Sequence, residues 1–363
     1  MTVATFVLGI DVGTTSTKVV LADPAVGVVA QASEPAALSS PHPGWAEADP
    51  AQWWANLASL VPAVLAAASA ATGKPVTAAD IAAVATTGMV PAVIPADEAG
   101  RPLRSAILQN DARATAEIRE LAAALPGLDF VARTGSALTQ QSVGPTLLWL
   151  ARHEPGAWAA AATVQGSYDW LATRLGAAPH VERNWALESG LFELEPDGAL
   201  APLHDPDLRG AFLGLHLGHT RGDMYRAILE GIAYGFRHHA DIFADRSVAL
   251  RPAARVSNGG SKSVVWKQIL ADALGVALEP VLDHPGAALG AALAAAVGTG
   301  GSDTPSPKAW AAAASVPGMV TIGAPIEPDP AHAARYAEAY QIYRDAGVAL
   351  TPISHRLATR SVS

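Results

Sequence analysis

The sequence predicts a mixed α/β protein of two domains, and three observations carry that reading. The chain has 363 residues, long for one compact domain and comfortable for two. Half of them are hydrophobic, ample for sizeable cores and against disorder as the default. The order of patterns runs β-meander, helix, strand, helices, then strand–helix–strand–helix, the mark of mixed layers around more than one core.

The strands come first. Residues 6–11 read as a buried strand that ends in an acid. After the Gly13-Thr14-Thr15 turn, residues 16–22 form a second strand and 26–31 a third. Short turns between adjacent strands make an antiparallel meander. Asp49-Pro50 opens a helix, with Asp49 as its N-cap and Pro50 at the first helical position. Its inward face is Trp53, Trp54, Leu57, Leu60, Val61, Val64 and Leu65, at helical spacing. Residues 81–86 and 92–95 are short strands around Gly88-Met89-Val90-Pro91, and 113–125 is an amphipathic helix stopped by Pro126-Gly127. Helices follow at 146–153, 167–175, 223–244, 262–274, 287–297 and 331–346, with strands at 255–257 and 278–282. Ser261 is a candidate cap for the helix at 262. The stretch 197–207 is loop-like. The expected division is therefore 1–200, 201–350 and a C-terminal tail at 351–363, with the two domains meeting at a cleft.

Composition excludes whole classes of function. Lys plus Arg is 24 and Asp plus Glu is 33, a net charge of −9. Nucleic acids and anionic membrane surfaces call for basic patches, so neither is an expected partner. There is no cysteine, which removes disulfides, thiolate zinc sites, iron–sulfur clusters and cysteine nucleophiles. Residues 1–9 carry no basic leader pattern, and no uncharged stretch is both long and unbroken enough to read as a membrane span. These features fit a cytoplasmic protein.

Three segments carry chemistry. In residues 9–18, GIDVGTTSTK, a tight turn between strands holds an acid, a glycine and hydroxyls. Backbone N–H groups and hydroxyls of such a turn can cradle a phosphate, and Asp11 can hold Mg²⁺ as a hard oxygen ligand. It is not a Walker A loop, because a strand and not a helix follows; an ordinary hairpin turn is the alternative. In residues 257–263, SNGGSKS, a strand ends in Gly259-Gly260 before a helix, where a flat or anionic ligand can approach the backbone. An empty αβ connection is the alternative. In residues 286–292, GAALGAA, small residues suit tight helix packing. Four histidines, His216, His219, His238 and His239, suggest a metal at first sight. Adjacent histidines on a helix diverge by about 100°, and no carboxylate pattern joins them.

Taken together, the pieces resemble the FGGY family of carbohydrate kinases, in the actin and hexokinase-like (ribonuclease H-like) ATPase superfamily. The resemblance rests on the opening turn, Gly44-Trp45-Ala46-Glu47-Ala48-Asp49-Pro50 with Trp53-Trp54, and Thr87-Gly88-Met89-Val90-Pro91. It continues through Gln109-Asn110-Asp111-Ala112-Arg113, Ser167-Tyr168-Asp169-Trp170, His219-Thr220-Arg221, Leu229-Glu230-Gly231-Ile232-Ala233, residues 257–269 and 283–292, in that order. It implies ATP and Mg²⁺ as cofactors and a ketopentose or polyol as substrate. Asp11, Gly13, Thr14, Thr15, Ser16 and Lys18 would face the phosphates, with Asp11 on the metal. Gly259, Gly260 and Ser261, with Trp266 and Gln268, would line the adenosine site. Glu47, Met89, Asn110 and Asp111 would line the sugar pocket; Asp111 as a helix cap beside a surface Arg113, and Glu47 as a loop acid, stay open. Met89-Val90 stands where glycerol kinases carry Arg-Glu, so glycerol is disfavoured. Family members often form dimers, which makes a homodimer an expectation.

One departure stands out. Between positions matching Glu195 and His204 the family carries a long segment with a second phosphate loop and the aspartate that serves as catalytic base. This chain crosses the interval in about ten residues and presents no catalytic residue from it, so the second domain is expected to be incomplete and phosphoryl transfer close to background. A non-catalytic nucleotide- or sugar-binding remnant is the alternative. An acetate-kinase-like or repressor branch of the superfamily fits the Gly44–Pro50 pattern poorly.

Overall fold

A computed structural model describes residues 6–125, 128, 130, 134, 137–189, 210–245, 247, 251–257, 262–282, 286–300, 307–316 and 318–360. The 192–204 junction, Gly259, Gly260, Ser261 and residues 283–285 lie outside the described residues. The chain forms two compact units, one of Met1–Ala201 with Pro285–Val320, the other of Pro202–His284 with Thr321–Ser363.

The first unit begins with the meander. β1 (Phe6–Val12), β2 (Ser16–Asp23) and β3 (Gly27–Pro35) pair antiparallel, and β5 (Ile81–Gly88) joins β1 in parallel, giving the order β3-β2-β1-β5. The parallel pair needs a crossover, which α1 (Pro50–Thr72) supplies. As the sequence predicts, the Asp49 carboxylate accepts from Ala51 N at 2.9 Å, and Gly73, at φ 67°, ends the helix in the left-handed region. By length and composition α1 is apolar enough to cross a membrane, but Trp53, Leu57, Leu60 and Val64 are buried against Leu8, Ile10, Val19 and Leu21 of this sheet.

Alternate residues of β1 and β2 point the other way. Val7, Val20 and Ala22 pack against Ala288, Leu289, Ala292 and Ala295, which belong to a helix over Ala287–Gly298. A Cβ on Gly9 would stand 2.0 Å from the Ala288 carbonyl oxygen and 2.4 Å from Ala292 N. The helix thus lies directly on the strand, and residues 285–320 group with the first unit, not with 201–350, because only small residues on both sides permit this approach. A second sheet, β4-β7-β6-β8, is built from β4 (Glu47–Ala48), β6 (Ala92–Ala96), β7 (Ala106–Leu108) and β8 (Thr163–Gln165). Its helices are α2 (Thr115–Ala124), α3 (Val143–His153), α4 (Pro155–Ala160), α5 (Ser167–Arg174) and α6 (Arg183–Glu188).

The second unit holds α7 (Arg221–Asp245), β9 (Ala253–Val256), α8 (Val264–Leu274) and β10 (Ala277–Leu282). β9 and β10 are parallel around α8, and β11 (Thr321–Ile322) pairs antiparallel on β10. The helix on Gly9 is α9, followed by α10 (Pro307–Ala314) in the first unit. The final helix, α11, runs Ala333–Arg360, so residues 351–360 continue it where the sequence suggested a tail. The cap of α8 is Ser263, whose hydroxyl accepts from Trp266 N at 3.2 Å; Ser261 lies two residues too early for that bond.

Candidate active site

The β1–β2 turn is closed by Gly13 N donating to the Ser16 carbonyl at 3.0 Å, and Thr15 is exposed at its tip. Register places Asp11 opposite Lys18. Burial raises the Asp11 pKa above the ordinary carboxylate value, and the Lys18 ammonium pulls it back only in part. No described donor hydrogen-bonds its carboxylate. A half-buried carboxylate without a donor, at a turn lined by Thr14, Thr15 and Ser16, suits Mg²⁺, which takes one or two carboxylates together with substrate phosphates. Among the described residues no group of three or more His, Asp or Glu could form an all-protein metal cage, the four histidines included.

The sugar-side candidates are brought to the same end of the first unit by strand pairing. Asp11 pairs with Thr87 and Val12 with Gly88. Met89 N then donates to the Val12 carbonyl at 3.0 Å, and Ser167 Oγ donates to the Met89 carbonyl at 2.9 Å. After the cis Val90–Pro91 bond the chain enters β6, where Ala92 pairs with Leu108 and Val93 with Ile107. Glu47 pairs with Ile107 from the other side. The 108–113 turn therefore starts from the strand edge that Met89 leads into. Met89 is buried in the core, whereas Asn110 is exposed.

Arg113 organises this corner. Its side chain is 1% exposed, not the surface charge left open by the sequence. Its Nε donates to Asp111 Oδ1 at 2.8 Å, and its Nη2 to Asp111 Oδ2 and to Glu47 Oε1, both at 2.7 Å. Arg113 N also donates to Asp111 Oδ1 at 2.9 Å, and Ala46 N to Oδ2 at 2.6 Å. Four donors fill the roughly four lone-pair sites of one carboxylate. Arg104 donates to Glu47 as well and pairs with Glu154 at 2.8 Å. The Arg113 guanidinium lies 3.8 Å above the Trp45 ring and 5.1 Å from that of Trp149. Burial works against its charge, but the bonds from Asp111 and Glu47 outweigh burial, and its pKa is raised. Arg104, Trp45 and Trp149 were missed as partners: they lie 9, 68 and 36 positions from Arg113 in the sequence, with no periodic signal joining them.

In the second unit, Trp266 and Gln268 lie on α8. Gln268 Nε2 donates to Asp272 Oδ1 at 2.8 Å and to the Glu327 carbonyl at 3.0 Å. Asp272 also accepts from Asp329 N at 2.8 Å and meets His332 Nδ1 at 2.8 Å. Burial opposes its charge, yet these bonds hold its pKa below the ordinary value. Gly259, Gly260 and Ser261 are outside the described residues.

Residues 6–197 match the N-terminal domain of the FGGY family of carbohydrate kinases, more than half of the chain. The chain belongs to the FGGY family. Residues 132–299 match the family's C-terminal domain. The xylulose kinase of Escherichia coli (strain K12) is 35% identical over 148 residues, 41% of this chain and 28% of that protein. The xylulose kinase of Streptomyces coelicolor is 34% identical over 171 residues, 47% of this chain and 33% of that protein. The match thus spans about a third of these curated relatives. A solved xylulose kinase from Rhodospirillum rubrum superposes with a TM-score of 0.76 at 28% identity, covering 96% of this chain and 100% of that one. A gluconate kinase from Lactobacillus acidophilus, at 15% identity and TM-score 0.71 over 95% and 98% of the two chains, shares the fold. The FGGY chain has the two-domain actin and hexokinase-like architecture of these kinases.

Proposed function

We propose that this FGGY protein binds MgATP and a ketopentose or polyol of the xylulose type, and transfers the γ-phosphoryl group at a rate close to background. The observation that carries the binding part is the convergence of Asp11, Met89 and the 108–113 turn at one end of the first unit, through β1–β5 and β6–β7 pairing. The Asp11 carboxylate, with Gly13, Thr14, Thr15, Ser16 and Lys18, faces phosphate and metal. Bound Mg²⁺ there supplies charge neutralisation to the phosphates. Asn110 offers an exposed amide that both donates to and accepts from vicinal hydroxyls. Asp111 and Glu47, already committed to Arg113 and Arg104, hold the Asn110 turn in place, and Met89 gives the pocket its apolar floor. Gly259, Gly260 and Ser261, with Trp266 and Gln268, take the adenosine side. The xylulose-like preference is supported by the names of the relatives and by Met89-Val90.

Calorimetry with xylulose, ribulose and several polyols, with and without a non-hydrolysable MgATP analogue, tests the binding. We expect heat from at least one pentulose or polyol, and its loss in Asn110→Ala. No heat from any of them sinks the sugar-site reading. A hit that binds Asn110→Ala as tightly as the parent removes Asn110 from the pocket.

A further inference from the structure

Two side chains of α1 hold the β1–β2 turn from outside. Asn56 is the one polar side chain among the residues that α1 buries, and it is 8% exposed. A buried amide is costly unless its groups are bonded. Asn56 Nδ2 donates to the Pro35 carbonyl at 2.9 Å and to the Thr17 hydroxyl oxygen at 3.3 Å. One turn earlier, on the same side of the helix, Gln52 Oε1 accepts from Ala37 N at 3.0 Å.

These bonds fall on the end of β3, an edge strand of its sheet. Successive residues of a strand direct their backbone groups to opposite sides. The Pro35 carbonyl and Ala37 N are therefore turned to α1, whereas Ala36 N is turned to β2 and donates to the Thr15 carbonyl at 3.0 Å. Pro35 stands opposite Ser16 and has no N–H to give at that rung, so the bond from Ala36 carries the hold of β3 on the turn. Thr17, fully buried just after the turn, is fixed by Asn56 directly. The sugar-side turn has ties of its own: Asp111 is held by Ala46 N and by Arg113, which also bonds Glu47. None of these runs through Gln52 or Asn56.

We propose that Gln52 and Asn56 are positioning residues for the nucleotide. By pinning Pro35–Ala37 and Thr17 they fix Thr14, Thr15 and Ser16 in the arrangement that receives the phosphates. The proposal rests on the MgATP reading of this turn. Both side chains act through the turn's backbone and neither is a ligand contact. A turn already fixed loses less conformational freedom when phosphate binds, so affinity rises.

Calorimetry with a non-hydrolysable MgATP analogue, and separately with the pentulose or polyol that binds the parent, reads the two halves of the site apart. Asn56→Ala is expected to weaken the nucleotide roughly 5–10-fold, the worth of one or two net hydrogen bonds, and to leave sugar affinity within about 2-fold. Gln52→Met, equal in length but without the acceptor, is expected to weaken the nucleotide to a smaller degree. Gln52→Glu, which still accepts from Ala37 N, is expected to keep parental affinity. Val64→Ala, a truncation on the buried face of the same helix, controls for stability: its urea midpoint is expected to fall while nucleotide affinity stays. A parent that binds no nucleotide overturns the MgATP reading and this proposal with it. A parent that binds, with Asn56→Ala binding as tightly, overturns the proposal alone. So does Gln52→Glu as weak as Gln52→Met, or a Val64→Ala loss of affinity as large as that of Asn56→Ala, for these bonds would then serve only the fold.

Discussion

Asp11 carries a cost that a ligand can remove. Its folded-state pKa is raised by burial, so the folded chain holds this proton more tightly than the unfolded chain. Stability therefore falls as pH rises through the window between the ordinary and the raised value, and above it ionised Asp11 is a standing penalty. Asp11→Asn is expected to resist urea better than the parent at neutral pH and to match it below the carboxylate range. With Asp11 in its proposed role as the metal's anionic ligand, the same variant is expected to show a smaller MgATP thermal shift than the parent. A parent-like urea midpoint at neutral pH counts against the burial argument. Arg113 is the opposite case, because its charge is needed by two buried acids. Among the described residues, Arg113→Ala takes the only paired cation from buried Asp111 and leaves Glu47 to Arg104 alone, and breaking a buried pair on one side costs about 3–5 kcal/mol. Arg113→Lys has no fork to bridge both carboxylates and is expected to fall between the two. Urea unfolding checks both variants, and an Arg113→Ala loss below ~1 kcal/mol would show the network to be dispensable.

At the scale of elements, the tightest joint is that of β1 with α9. Gly9→Ala drives a methyl group into the backbone at Ala288 and Ala292, and neither helix nor strand can yield locally. A loss of at least ~1–3 kcal/mol is expected, as for overpacking. Gly290, on the exposed side of α9, has nothing within 4 Å of a built Cβ. Gly290→Ala is therefore expected to stabilise by ~0.4–1 kcal/mol, from helix propensity and unfolded-chain entropy. Paired chemical denaturation of the two variants checks the contrast, and equal effects would deny the close approach. This joint also marks what could be read in the sequence. The alanine-rich helix reads as a packing element, and the meander and the Asp49-Pro50 start of α1 are visible as period-two and capping signals. The partner of the helix is not visible, because Gly9 looks like part of the phosphate turn that follows it. Short strands such as β4, β7 and β8, two or three residues each, leave no period to detect. The candidate site is read from residue types at strand ends, and the hydrogen bonds that join Asp111, Glu47 and Arg113 leave no periodic signal in the sequence. Asp111 and Glu47 read as pocket acids until the buried Arg113 between them is seen.

For the whole molecule, the decisive question is whether this FGGY chain, with the binding residues proposed above, can move a phosphoryl group. The transfer depends on alignment and on charge stabilisation, with a base worth typically ~10²–10⁴-fold. The interval from Glu195 to His204 leaves no room for the second phosphate loop or the aspartate that the resemblance implies. Asp169, buried and raised in pKa by desolvation, is held by Gly166 N at 3.3 Å and Glu182 N at 3.0 Å as a cap of α5, so it does not stand in. On the proposed reading the attacking hydroxyl lacks a base and stays neutral, and the γ-phosphoryl group is gripped from one side. A coupled ADP-release assay with xylulose, ribulose and polyols is therefore expected to read at or near background. Any residual rate should climb steadily with pH, because hydroxide and not a carboxylate removes the proton. Turnover at ordinary kinase rates of roughly 1–100 s⁻¹, or a rate that levels off above a carboxylate-like pKa, would show that a base is present after all. The assay separates that outcome from loss of binding when read beside the calorimetry. A protein that binds sugar and nucleotide but does not turn over has kept its walls and lost its base, whereas one that binds neither was never a sugar site.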